Sequence, residues 1–144
     1  MFLGEYKLKF TGQGRVILPK KLRSGLTNGV IVLSRGFENC VWGFSKEDFE
    51  KEASRQLELS ITEERARNLR RFIFSGSVEV HIDTQGRFVI PVGLLEHASL
   101  NEQVLSFGNG LKEVVIIGAG DHFEIWESIL WYKRLKEMEK EYGS

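Results

Sequence analysis

Apolar and polar residues alternate from Tyr6 to Phe10, with Tyr6, Leu8 and Phe10 on one side and Lys7 and Lys9 on the other. The same alternation returns from Val78 to Ile82, where Val78, Val80 and Ile82 are separated by Glu79 and His81. A period of two predicts half-buried strands. Each run is followed by a glycine-containing turn, an arginine and a short apolar stretch closed by proline. The first copy reads Thr11-Gly12-Gln13-Gly14-Arg15-Val16-Ile17-Leu18-Pro19, and the second reads Asp83-Thr84-Gln85-Gly86-Arg87-Phe88-Val89-Ile90-Pro91. The two copies lie 72 residues apart, which marks an internal duplication. Gly14 and Gly86 supply positive φ to the turns, with Thr11 and Asp83 supporting them. Each copy is expected to form a β-hairpin with its arginine at the lip.

The rest of the chain repeats this plan. Pro19 is placed to start a helical turn over Lys20 to Ser24. Val30 to Leu33 and Cys40 to Phe44 predict a second hairpin. Ser45 and Asp48 resemble a capping box, opening a helix with Phe49 and Ala53 on one face. A further helix from about Thr62 to Ile73, with Ala66, Leu69 and Ile73 along one side, ends at Ser75-Gly76. In the second half, a short helix spans Pro91 to Ala98, and a hairpin joins Val114–Ile117 to His122–Trp126. A final helix runs from Ser128 to Tyr142 with Leu130, Trp131, Leu135 and Met138 as its apolar stripe. Aligning Phe44 with Trp126, and Phe49 with Trp131, raises the offset to 82. The second copy therefore carries ten extra residues, assigned to Asn101–Glu113, where Phe107-Gly108-Asn109-Gly110 reads as a turn. This divides the chain into a first repeat over 5–47, bridging helices over 48–76, a second repeat over 77–128 and a last helix over 129–144.

Formal net charge is zero, but residues 1–35 hold seven basic residues against Glu5 alone, so a net +6 there is balanced by −6 over the remainder. Such polarity presents a basic face to an anion. Hydrophobic residues make up 42% of the chain, well outside a disordered composition. The first residues are too short for a signal peptide, and no apolar run approaches the ~20 residues of a membrane span. A single cysteine, Cys40, excludes an internal disulfide and fits a reducing cytoplasm.

Catalytic constellations do not emerge. His81, His97 and His122 fall in different elements without metal-ligand spacing, and Cys40 has no cysteine companion. Gly118-Ala119-Gly120 lacks the third glycine and the following helix of a dinucleotide site. No cofactor, metal or small-molecule substrate is expected. Arg15 and Arg87, in contrast, sit where guanidinium groups can meet phosphate or guanine. Lys7, Lys9, Lys20, Lys21 and Arg23 are expected to converge near the first hairpin as further DNA contacts. Arg70 and Arg71 read as residues that cover apolar surface and pair with acidic neighbours. Trp42, Phe72, Phe74, Trp126 and Trp131 read as core or subunit packing.

These residues resemble the MraZ family of bacterial transcriptional regulators, built from two SpoVT-AbrB repeats. Met1-Phe2-Leu3-Gly4-Glu5-Tyr6 looks like the family's N-terminus, and Leu69 to Gly76 like its helix end before the second repeat. Asp83-Thr84-Gln85-Gly86-Arg87 is similar to its Asp-x-x-x-Arg signature, and Gly120 to Trp126 to its late strand motif. The resemblance implies an α+β, mostly β fold: a fused pseudo-dimer of two swapped-hairpin repeats with short flanking helices and a C-terminal helix. It also implies ring-shaped homo-oligomers that bind double-stranded DNA at direct repeats in the promoter of the division and cell-wall gene cluster. Two departures stand out. Thr11 replaces the signature aspartate of the first repeat, and Leu95 occupies the place of Arg23 in the second. Thr11 cannot hold Arg15 in an ion pair, so Arg15 is expected to be free for DNA while Asp83 restrains Arg87.

The expected protein is thus a cytoplasmic, nucleoid-associated regulator without catalytic activity. The alternative is a protein-interaction module, antitoxin-like or a scaffold ring, that uses the same barrel without DNA. A disordered partner-wrapping tail would favour that alternative, whereas this chain closes with an amphipathic helix.

Overall fold

A computed structural model describes residues 1–26, 28–101 and 112–143. The chain runs β1 (Glu5–Lys9), β2 (Arg15–Ile17), α1 (Lys20–Arg23), β3 (Val30–Arg35), β4 (Val41–Ser45), α2 (Lys46–Leu57) and α3 (Glu64–Ser75). It continues with β5 (Val78–His81), β6 (Arg87–Val89), α4 (Val92–His97), β7 (Glu113–Gly118), β8 (Phe123–Glu127) and α5 (Ser128–Tyr142). The fold is mixed, with an antiparallel sheet, short helices and a C-terminal helix.

The strands themselves follow the alternation, but the pairing corrects one expectation. β1 and β2 do not form a hairpin ladder, and neither do β5 and β6. Six strands form a sheet in the order β1-β7-β8-β4-β3-β5, and β2 pairs with β6 in a separate two-stranded ribbon. Thus β1 joins the second repeat through β7, while β5 joins the first through β3. The turns are still tight. Thr11 N–H donates to the Arg15 carbonyl at 2.8 Å, and Asp83 N–H to the Arg87 carbonyl at 3.1 Å. Beyond each turn the strands part and exchange between repeats. The physical reason is burial: exchange seats Val16, Leu18, Phe88 and Ile90, each at most 2% exposed, in one core with Ile31, Leu33, Val114 and Ile116. Each such side chain contributes about 1.5–3 kcal/mol by burial. The expected hairpins β3–β4 and β7–β8 do form.

β3 and β7 begin 83 residues apart, whereas β4 and β8 begin 82 apart at Val41 and Phe123. The loop between β3 and β4 is therefore one residue longer than its counterpart. Most of the segment assigned as inserted, residues 102–111, lies outside the described residues.

Helix α2 starts where the capping pattern predicts, with Asp48 N–H donating to Ser45 Oγ at 3.1 Å. α5 lies on the outer face of the sheet. Its Trp131 packs with Trp126, Val115 and Cys40, and Trp131 Nε1 donates to Glu5 Oε1 at 2.7 Å, tying α5 to β1. Burial pushes the Cys40 thiol pKa strongly upward, helped by the charges of Glu124 and Glu38, so Cys40 behaves as a packed apolar residue. Trp126 and Trp131 are buried as expected, while Phe72 stays exposed against Phe37. Among the described residues Arg70 has no acidic partner. It donates to the carbonyls of Leu57, at 3.0 Å, and of Leu59, bracing the end of α2. Arg71 donates to Asn68 Oδ1 at 3.0 Å.

Candidate nucleic-acid interface

The β2–β6 ribbon is the place where the two repeats meet as equals. Its register pairs Arg15 with Val89, Val16 with Phe88 and Ile17 with Arg87. Alternation turns Val16 and Phe88 inward and leaves Arg15, Ile17, Arg87 and Val89 exposed. The outer face of the ribbon is therefore a square of two arginines on one diagonal and two branched aliphatics on the other. On ordinary strand geometry two such diagonal positions stand about 7–8 Å apart, within reach of both guanidinium groups. Ile17 is 38% exposed and Val89 53%, so both remain available beside the guanidinium groups.

The two turns at the ribbon's ends share backbone geometry. Gly14 and Gly86 both have positive φ, at 71° and 87°. Each turn is also stitched to the other repeat, with Leu18 N–H donating to Gly86 O and Ile90 N–H to Gly14 O, both at 2.8 Å. Their side chains differ. Asp83 Oδ1 accepts from the backbone N–H groups of Gln85 and Arg87 at 2.9 Å each, and Asp83 Oδ2 accepts from Arg87 Nε at 2.6 Å. The backbone N–H and the guanidinium of Arg87 hold the Asp83 carboxyl below its usual pKa range. In the first repeat Thr11 offers only an Oγ1–H bond to the Arg15 carbonyl, at 3.3 Å. Among the described residues Arg15 has no ion-pair partner, and its guanidinium lies over Gly12, where an added Cβ would stand 2.8 Å from Nη2.

The remaining basic residues divide. Lys20 and Lys21 are exposed on α1, which follows β2 directly. Lys9 ends β1 next to the first turn, in register with Glu113. Lys7 lies farther along β1: its Nζ sits 5.6 Å from the ring centre of Tyr132 on α5, in a cleft shared with Ser128, Lys133 and Lys136. Arg23 turns back onto the second repeat, with Nη1 3.5 Å from the Thr84 carbonyl. The expected convergence of all basic residues at the first turn is therefore only partial. Sequence inspection missed Ile17 and Val89 as companions of the arginines. Their positions at alternate places in a strand are the signal, but it becomes legible only once β2 is known to pair with β6.

The MraZ family model, described as "MraZ protein, putative antitoxin-like", matches residues 1–72 and again residues 73–142. The chain belongs to the MraZ family. It is 37% identical over 139 residues to a protein of Roseiflexus castenholzii named "Transcriptional regulator MraZ", covering 96% of this chain and 90% of the relative. Proteins of the same name from Halothermothrix orenii and Lactobacillus helveticus are 38% and 35% identical, each covering 99% of this chain and 92% of the relative. The two successive MraZ matches coincide with the duplication that brings Arg15 and Arg87 onto one ribbon.

Proposed function

We propose that this chain is a transcriptional regulator that binds double-stranded DNA through the β2–β6 ribbon. The observation that carries this reading is the outward face of that ribbon, where Arg15 and Arg87 are related by the duplication and flanked by exposed lysines. A two-stranded ribbon fits the major groove, and arginine is suited to the O6 and N7 acceptors of guanine. The relatives' shared name, transcriptional regulator, supports the same reading.

Arg15 is the principal contact, because nothing among the described residues neutralises it, whereas Arg87 is shared with Asp83. Lys9, Lys20 and Lys21 contact phosphates, and Lys7 adds charge further along the edge. These contacts position the ribbon, and the arginines discriminate sequence. One ribbon is a small footprint. A ring of copies engaging several repeats at once gains avidity from linkage alone, so operator repeats matter more than any single half-site. On this reading the protein is cytoplasmic and nucleoid-associated, has no catalytic activity, and acts on the promoter of the division and cell-wall cluster.

The test is a gel shift on DNA upstream of the protein's own gene across a salt series. Binding should weaken with a slope of about −0.9 per neutralised phosphate. The absence of any shift from folded protein at every salt concentration contradicts the reading.

A further inference from the structure

Each repeat's short helix lies against the turn of the other repeat, and the two contacts differ in chemistry. Leu95 of α4 covers Gly14: a Cβ there would stand 3.1 Å from Leu95 Cδ1. Arg23 of α1 covers Gly86, where a Cβ would stand 2.7 Å from Nη1, 2.8 Å from Cζ and 2.9 Å from Nε. The Nη1, Cζ and Nε atoms of the guanidinium therefore lie against Gly86. Nη1 reaches the Thr84 carbonyl at 3.5 Å, and Nε is buried with no hydrogen-bond partner among the described residues. A cation reaching for phosphate would keep its N–H groups in solvent. This one gives up hydration at Nε to stay on the turn, a cost that the contact with Gly86 must offset. The covered turn is the one that carries the Asp83–Arg87 pair. Its Gly86 N–H donates to the Asp83 carbonyl at 3.0 Å.

We propose that Arg23 is a positioning residue that fixes the Asp83–Gly86 turn, and with it the aim of Arg87, instead of touching DNA. The inference rests on the ribbon being the DNA-binding surface. It makes the second repeat's arginine depend on a cationic side chain from the first, while the turn before Arg15 is covered by the apolar Leu95. The two arginines are then set by different means although their backbones match.

A double-mutant cycle on a fluorescent duplex carrying the upstream repeats tests this, read by anisotropy at several salt concentrations. Arg23→Ala should weaken binding about threefold to tenfold in the wild-type background. In the Arg87→Ala background it should change neither affinity nor salt slope, while in the Arg15→Ala background its loss should multiply. In free protein, amide hydrogen exchange at Gly86 and Arg87 should quicken. A slope that falls by about 0.9 in the Arg87→Ala background would identify Arg23 as a phosphate contact and overturn the inference. Should Arg23→Ala fail to fold, Arg23→Lys, which keeps the charge but cannot lay a planar guanidinium on Gly86, carries the test: it should weaken binding and quicken exchange at Gly86 and Arg87, whereas a phosphate contact would tolerate it and overturn the inference. Failure of the wild-type protein to bind sinks the DNA reading instead, and the exchange measurement still decides whether Arg23 holds the turn.

Discussion

Val16 and Phe88 are cross-strand partners in the β2–β6 ribbon, and they are also equivalent positions of the two repeats. Trp42 and Glu124 stand in the same relation across the β4–β8 seam. A pseudo-twofold axis therefore passes through both pairs, and one chain builds what two identical chains would otherwise supply. Because the backbones of the two turns match, the asymmetry between them resides in side chains, above all Thr11 against Asp83 and Arg23 against Leu95.

Thr11→Asp should make the first turn like the second. The new carboxylate would accept from the Arg15 backbone and guanidinium as Asp83 does from Arg87. An exposed pair of this kind stabilises by only about 0–1 kcal/mol, so thermal stability should change little. DNA affinity should fall about threefold to tenfold because Arg15 must leave its new partner to bind. Unchanged affinity in an anisotropy titration would show that ion pairing in the turn does not govern contact with DNA.

His122 gives the β8 strand a pH dependence. Its Nδ1 lies 2.8 Å from Asp121 Oδ1 and its Nε2 2.9 Å from Glu124 Oε2, with the ring stacked on Phe44. Burial alone would lower the imidazole pKa, but the bonds to Glu124 and Asp121 outweigh it and raise the pKa above its ordinary value. A raised pKa stabilises the folded state fully below the unfolded value of about 6.5, and the contribution is lost as pH rises through the higher folded value. Urea unfolding should therefore show a decline of stability above pH 6.5 that His122→Gln flattens. Burial tends to raise Glu124, but its bonds with His122 and Trp126 lower it below its ordinary value. That contribution is lost instead on acidification.

Gly43 lies in β4 directly beneath the ring of Phe123, which is fully buried, and any Cβ at this position would overlap the ring. Gly43→Ala should destabilise by about 1–3 kcal/mol, measurable as a lower urea midpoint with an unchanged m-value. Gly93→Ala in α4, where an added Cβ meets nothing within 4 Å, is the control and should stabilise by about 0.4–1 kcal/mol.

Trp131 anchors α5 by its buried ring and by the bond from Nε1 to Glu5. Trp131→Ala should cost about 3–5 kcal/mol, and Glu5→Gln about 1 kcal/mol because the amide oxygen still accepts. Equal costs for the two substitutions would mean that the bond, not the packing, holds the helix.

Several of these features were legible in the residues themselves. The 72-residue offset identified the duplication, Ser45 marked the start of α2, and the four-residue spacing of Asp83 and Arg87 foretold their ion pair. Strand exchange was not legible from alternation, because a period of two says which face is buried and nothing about which strand supplies the next ladder. The destinations of Lys7, Arg23 and Arg70 were hidden for a related reason. A long cationic side chain has reach enough to bind an aromatic ring, a distant turn or a helix end, and only the tertiary arrangement chooses among them. The resemblance to the MraZ family foretold the exchange that local pattern could not.

The most direct measurement is an anisotropy titration of a duplex carrying the upstream repeats with wild-type protein, Arg15→Ala and Arg87→Ala under identical salt. Loss of a good arginine–guanine pair is worth about 1–3 kcal/mol, so Arg15→Ala should weaken binding roughly fivefold to 150-fold. Arg87→Ala should lose distinctly less, because Asp83 already holds that guanidinium. Full affinity in both variants would contradict recognition through the β2–β6 ribbon, and equal losses would contradict the leading role of Arg15.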